Sequence, residues 1–384
     1  MPLKNSLLEK IAPFLTKIVP SPNGKIIRLQ KFFFQKIIEK NKFYMLNKQI
    51  RLAARPVGMP KDSDFHLTIE EVAPLLPPVE GTQGDVLVEI SHISLDPAMR
   101  GWMNAARSYI RPVEIGEVMR AGGAGRVIAS ENTQFKVGEL VVGSPGVQQY
   151  WLAKEGKGVT KIDTRLAPLS NWMSVLGMTG MTAYFGLLDV GLPKAGDVVV
   201  VSGAAGAVGM IVGQIAKIKG CYVVGIAGGQ DKVEFLKDEL GFDDAVDYRL
   251  GNLRAALRRA CPDGVDVYFD NVGGEILDTV LTMIKKRARI VICGAISQYN
   301  NAEGAVGPKN YMSLLVNRAR MEGMVVFDYA DRYKTAVVEM AGWLKEGKLQ
   351  AREHIVKGTI EDFLPTLMTL FEGDKIGKLL LEIA

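Results

Sequence analysis

The feature that most constrains this chain is a continuous apolar strand that runs straight into a glycine-spaced turn and a helical segment. Asp197-Val-Val-Val-Val-Ser202 is followed by Gly203-Ala-Ala-Gly206-Ala-Val-Gly209, and Met210–Lys219 then reads as a helix. A strand that is apolar on both faces belongs inside a parallel sheet. In such a turn Gly206 lets the backbone approach a pyrophosphate, and Gly209 lets helix and strand pack closely. The helix N-terminus supplies free N–H groups and the positive end of a dipole. Ala204 stands where the full Gly-x-Gly-x-x-Gly has its first glycine, so the string alone would also suit a purely structural turn. The strand before it and the helix after it supply the context that the dinucleotide motif requires.

The same alternation continues downstream. Strands are expected at Tyr222–Ala227, Ala245–Asp247, Val265–Asp270 and Arg289–Cys293, with helices at Lys232–Leu240, Leu253–Ala260 and Glu275–Ile284 between them. Repeated β-α units predict an α/β fold with a doubly wound parallel sheet. A helix over Asn171–Leu188 precedes it. A strand at Met324–Asp328, a helix at Tyr333–Glu346 and short strands follow it. Residues 45–169 have a different texture: alternating runs such as Asp85–Ile93, punctuated by glycine and proline, predict an antiparallel, barrel-like domain.

The strand after the glycine turn selects the nucleotide. An NAD site would place Asp or Glu at the end of that strand, to hold the ribose 2′-hydroxyl. Here the segment reads Gly225-Ile-Ala-Gly228-Gly-Gln-Asp-Lys232, with no carboxylate at Gly228. Lys232 is placed to pair with a 2′-phosphate, although Asp231 sits beside it and a solvated helix lysine is the plainer alternative. The combination favours NADPH.

Composition excludes several other classes. The 384 residues carry a net charge of +5, but residues 1–44 hold nine basic and two acidic side chains, a balance of +7, which leaves 45–384 at −2. The basicity therefore belongs to a leader, and a nucleic-acid partner for the whole chain loses its support. As a helix, the leader would place Ile26, Leu29, Phe33 and Ile37 on one face, with Lys25, Lys36 and Lys40 intruding. It reads better as a dispensable extension or an early start site than as a membrane-surface or targeting helix. No apolar run approaches the roughly 18 residues of a transmembrane span. Three cysteines (Cys221, Cys261 and Cys293) exclude a disulfide framework, and with His66, His92 and His354 scattered, no metal site is expected.

Four separated motifs, in order, carry a resemblance: Ser94-Leu-Asp-Pro-Ala-Met-Arg-Gly101, Ser202–Gly209, Phe269-Asp-Asn-Val-Gly-Gly-Glu275 and Cys293-Gly-Ala-Ile-Ser-Gln-Tyr-Asn300. From about Leu46 to Ala384 the chain resembles the zinc-independent medium-chain dehydrogenase/reductases, on the branch of NADPH-dependent enone and alkenal double-bond reductases. The resemblance implies a Rossmann cofactor domain (170–324) set within a GroES-like catalytic domain made of 45–169 and the returning segment 325–384. It also implies a cytoplasmic homodimer with a small enone or enal substrate.

Carried over residue by residue, the resemblance assigns Gly206, Ala207, Val208 and Gly209 to the pyrophosphate and Lys232 to the 2′-phosphate. Tyr248 falls on the adenosine side, and Asn271 is the asparagine of the Asp-Asn-Val-Gly-Gly motif. Cys293, Gly294, Ala295, Ile296, Ser297 and Tyr299 form a loop lining the nicotinamide, and the backbone of Val325, Val326 and Phe327 meets its amide. Tyr299 is the expected catalytic residue. A phenol donates a hydrogen bond to a developing enolate oxygen without ionising, because its reference pKa is near 10. A tyrosine that only stacks on the cofactor is the alternative.

This chain departs from the family pattern in two places that bear on the site. Ala98 stands where a tyrosine near the substrate is usual, and Lys375 stands where asparagine is usual. A third position, Gly116-Glu117-Val118, lacks the histidine that zinc-dependent relatives carry there. An NADPH:quinone oxidoreductase and a non-catalytic NADPH-binding protein remain the rival readings.

Overall fold

The computed structural model describes residues 45–383, so the leader and the expectations attached to it lie outside the described residues. Two sheets organise the rest.

The first sheet contains β1 (Val198–Ser202), β2 (Tyr222–Ala227), β3 (Asp244–Asp247), β4 (Val265–Asp270), β5 (Ile284–Ile292) and β6 (Arg320–Gly323). All neighbours pair in parallel, in the spatial order β3-β2-β1-β4-β5-β6. That is the order of a dinucleotide-binding fold, whose ligand crevice lies at the carboxyl ends of the strands where the winding reverses. Here the reversal falls between β1 and β4. Val199, Val200 and Val201 are fully buried at its centre. Each contributes about 1.5–3 kcal/mol of apolar burial, which is why this strand tolerates no polar alternation.

The second sheet has seven strands, drawn from residues 86–161 and 353–383, while Leu46–Leu52 and Phe65–Glu71 form a separate antiparallel pair. Lys378–Ile383 pairs antiparallel with Val86–Ser94, matching Leu380 to Ser94 and Leu381 to Ile93. Gly123–Ser130, Leu140–Gly143 and Thr160–Lys161 continue the sheet, and Tyr150–Ala153 pairs with Val86–Ser94. The expected antiparallel pattern holds except at one edge, where Glu353–Gly358 runs parallel to Lys378–Ile383. Helix Phe363–Glu372 makes that crossover, as a parallel pair requires.

Two expectations need correction. Asn171–Leu188 is not one helix: it breaks into Leu169–Met173, Met178–Phe185 and a wider-wound turn at Gly186–Gly191. The break is a packing effect. The Leu176 N–H turns back to the Asn171 carbonyl, and a Cβ at Gly180 would lie 1.7 Å from the Val175 oxygen. The strand at Met324–Asp328 is also displaced. β6 ends at Gly323, Met324 donates the last rung to Ile292, and the chain then coils through Val326–Arg332. A strand needs a neighbour, and β5 ends at Ile292, where the chain turns into the loop beginning at Cys293.

Candidate active site

α1 (Gly209–Ile218) starts directly from the turn after β1. Gly203 sits at φ +57°, a left-handed conformation, and a Cβ on Gly209 would come within 2.4 Å of the Gly203 oxygen and 2.8 Å of the Ala204 Cα. Both neighbours are backbone, so only glycine lets the helix start this close to the strand. This geometry suits a bound dinucleotide: the close approach brings the N-terminal end of α1 and the turn before it over the crevice.

Across the crevice, β4 ends in a tight polar knot. Asp270 is 1 % exposed. Its Oδ1 accepts from the Ser202 hydroxyl at 2.9 Å, the Tyr268 hydroxyl at 2.8 Å, and the Val272 and Gly273 N–H groups at 3.0 and 2.9 Å. The Asn271 side-chain amide donates to the Ser202 carbonyl at 2.7 Å. These bonds tie the ends of β1 and β4 together at the switch point.

One cavity of about 610 Å³ runs along this edge and continues between the two sheets. It brings together Gly206, Ala207, Val208, Gly209, Lys232, Tyr248, Asn271, Cys293, Gly294, Ile296, Ser297, Tyr299, Val325, Val326 and Phe327. Ala295 is the one expected residue absent from its lining; its N–H instead donates to the Tyr299 phenol oxygen at 3.1 Å. That bond occupies an acceptor position of the phenol and leaves its proton free to be donated. Burial raises the Tyr299 pKa above its usual value, partly countered by the Ala295 N–H, so the group stays protonated. Burial also pushes the Cys293 thiol up to about 12, which leaves it neutral beside the tyrosine.

At the far end, Lys232 is almost fully buried and its ammonium donates to the Gly373 carbonyl. Burial, then the neighbouring Arg249, lower its pKa. A Cβ at Gly228 would lie 2.8 Å from both the Tyr248 ring and the Arg249 Nε, so no larger side chain fits at this strand end without displacing them. The opposite end of the cavity is apolar, lined by Met59, Pro97, Trp102, Tyr109 and Met178, with Ala98 presenting only a methyl group.

Three polar residues that organise this site escaped sequence reasoning. Arg100, 4 % exposed, donates to the Gly58 and Pro56 carbonyls and to the side-chain oxygens of Asn104 and Asn300. It thereby joins the catalytic sheet's loops to the residue next to Tyr299. Lys378, 1 % exposed, donates to the Leu95 carbonyl at 2.8 Å and to Asp96 at 2.6 Å. The third is Asp270, whose Oδ1 joins the ends of β1 and β4; Lys375, singled out in the sequence as a departure from the family pattern, lines the cavity. Arg100 and Asp270 sit inside the recognised motifs, but nothing local reveals their partners. Among the described residues no three His, Cys, Asp or Glu side chains gather in a group that could hold a metal ion.

Two family models match the chain: an N-terminal domain of oxidoreductases over residues 48–162, and a zinc-binding dehydrogenase domain over residues 207–342. The NADPH-dependent curcumin reductase of Escherichia coli is 40 % identical over 343 residues, covering 88 % of this chain and 97 % of the relative. The NADP-dependent 2-alkenal reductase of Nicotiana tabacum is 42 % identical over 334 residues, covering 86 % and 96 %. The crystal structure of CurA from Vibrio vulnificus in complex with NADPH superposes with a TM-score of 0.80 at 41 % identity, covering 88 % of this chain and 99 % of that one.

Proposed function

The chain belongs to the medium-chain dehydrogenase/reductase family, on its zinc-independent branch of NADP-dependent double-bond reductases, and from that premise we propose that it reduces the carbon–carbon double bond of α,β-unsaturated ketones and aldehydes with NADPH. The observation that carries the chemistry is the Tyr299 hydroxyl: it is kept neutral by burial, its oxygen is held by the Ala295 N–H, and it faces the cavity.

The residues divide the work along the cavity. The Gly203–Gly209 turn and the start of α1 receive the pyrophosphate, and Lys232 with the Tyr248 side receives the adenosine phosphate end. Cys293–Ser297 and the backbone of Val325–Phe327 flank the nicotinamide end. When bound, NADPH supplies the hydride that reaches the β-carbon. The π pair of the carbon–carbon double bond then shifts between the α-carbon and the carbonyl carbon, and the carbonyl π pair moves onto the oxygen. The Tyr299 hydroxyl donates a hydrogen bond to that oxygen as its charge grows, which is worth more here than in water because the site is buried. A proton from solvent then adds to the α-carbon and restores the carbonyl. The apolar walls around Trp102 and Tyr109 hold the hydrocarbon part of the substrate and exclude water.

We also propose that 45–169 and 325–384 act as one catalytic domain around the cofactor domain 170–324. The strand pairing of Lys378–Ile383 with Val86–Ser94 supports this division. A cytoplasmic homodimer accompanies this reading through the family resemblance, and light scattering of the purified chain tests its dimeric part.

The deciding experiment compares Tyr299→Phe with wild type in NADPH oxidation over enals, enones and quinones. Loss of one oxyanion donor should lower kcat about 10²–10³-fold with enones, while NADPH affinity holds. Because the Tyr299 pKa lies above its usual value, wild-type kcat should stay flat from neutral pH until the phenol ionises at high pH. Undiminished enone turnover in the variant would remove the electrophilic role. Quinone turnover outrunning enone turnover in wild type would transfer the protein to the quinone reductases.

A further inference from the structure

The loop from Gly373 to Gly377 connects the last helix to the last strand and is pinned to the cofactor crevice at both ends. The Gly377 N–H donates to the Ala205 carbonyl at 2.8 Å, and Gly377 bridges Gly206 of the glycine turn. At its other end, the Gly373 carbonyl receives the Lys232 ammonium. Lys375 lies between these two pins and lines the cavity. Its Nζ is fully shielded from solvent and has no hydrogen-bond partner among the described residues.

An ammonium with three donors, buried and unpaired, is costly. This one also faces a like charge: Lys232 opposes it, and burial is the leading cause of its lowered pKa. Glu372 and Asp374 favour its charged form more than Lys232 opposes it, but neither carboxylate bonds to it, and Asp374, 74 % exposed, leans toward Arg249 at 3.7 Å. Two desolvated lysines facing one cavity, with no carboxylate bonded to either, form the complement of a dianion.

Resting on the NADPH reading above, we infer that Lys375 is a second phosphate-binding lysine, which shares the 2′-phosphate of the cofactor with Lys232 and sharpens the preference for NADPH over NADH. The 2′-phosphate, rather than the pyrophosphate, is the assignment because Lys232 closes the adenosine end of the cavity beside Gly228 and Tyr248. The asparagine usual at this position in the family brings no charge; the lysine adds a full one. The stereochemistry is served by the pinned loop, which fixes the Lys375 backbone from both sides before any ligand arrives.

The test is binding, read without turnover. Dissociation constants for NADPH, NADH and 2′,5′-ADP are measured by calorimetry on the full chain as wild type, Lys375→Asn and Lys375→Arg. Lys375→Asn should weaken NADPH and 2′,5′-ADP about tenfold, the size of one charge-assisted contact, and leave NADH unchanged. Lys375→Arg should retain most of the affinity. Added salt should narrow the gap between wild type and Lys375→Asn. The melting temperature of ligand-free Lys375→Asn should not fall, since the charge removed had no partner. Parallel weakening of NADPH and NADH, or no change in either, overturns the inference. Wild type binding NADH as tightly as NADPH would instead defeat the cofactor reading itself, and that result is read without any variant.

Discussion

Replacing Arg100 tests whether the catalytic sheet positions Tyr299. The guanidinium makes five hydrogen bonds, at 2.6–3.1 Å, to four acceptors: the Pro56 and Gly58 carbonyls, Asn104 Oδ1 and Asn300 Oδ1. Arg100→Met leaves those acceptors unpaired, at about 1–3 kcal/mol for each that stays buried. The loss is partly offset because a buried guanidinium with no carboxylate bonded to it is itself expensive, and burial already lowers its pKa. The net cost is about 3–5 kcal/mol, a melting temperature lower by on the order of 10 °C. Asn300→Ala removes only the 3.0 Å bond to Arg100 Nε and leaves the other four in place. Its stability cost is about 1–2 kcal/mol. Yet Asn300 adjoins Tyr299, and a displacement of about 1 Å at a reacting group costs up to about 10²-fold in rate. Steady-state NADPH oxidation with an enone, alongside thermal melts, separates the two effects. Asn300→Ala should lose kcat while melting close to wild type, and Arg100→Met should lose both. If Asn300→Ala keeps wild-type kcat, the bond does not position the tyrosine. If it melts as low as Arg100→Met, the bond serves the fold and not the site.

Two further outcomes follow from the same geometry. Gly209→Ala pushes a methyl to within 2.4 Å of the Gly203 oxygen, so α1 must move away from β1; a loss of about 1–3 kcal/mol and weaker binding of NADPH and NADH alike are expected in melts and titrations. His92 has its pKa lowered by burial. The unfolded chain therefore binds the proton more readily, and stability should fall as pH drops through about 6.5 toward the folded value. His92→Gln should flatten that acidic limb, and an unchanged pH profile of melting temperature would refute it.

Much of the cofactor half was legible because its signals are local. Four valines between Asp197 and Ser202, the spaced glycines after them and the missing acid at Gly228 each report on a neighbouring backbone or a single ligand group. The predicted spans Tyr222–Ala227, Leu253–Ala260 and Val265–Asp270 coincide with the observed elements for the same reason. The misplacements have non-local causes. The 171–188 segment has helical composition throughout, but close packing at Gly177 and Gly180 breaks it. The 324–328 segment has strand composition, but its neighbour strand ends first.

The sequence by itself determined that a buried parallel sheet would carry a glycine turn at the carboxyl end of its first strand, with a helix starting directly from it. It could do so because hydrophobic period and glycine spacing act over a few residues. Only the tertiary structure decided how the rest of the site is held. Arg100 reaches Asn300 across 200 residues, Lys378 reaches Asp96 across 282, and Lys232 reaches Gly373 across 141. Such contacts leave no mark on either local pattern, since each partner alone reads as an ordinary polar residue. Their energy appears only when folding removes water from both.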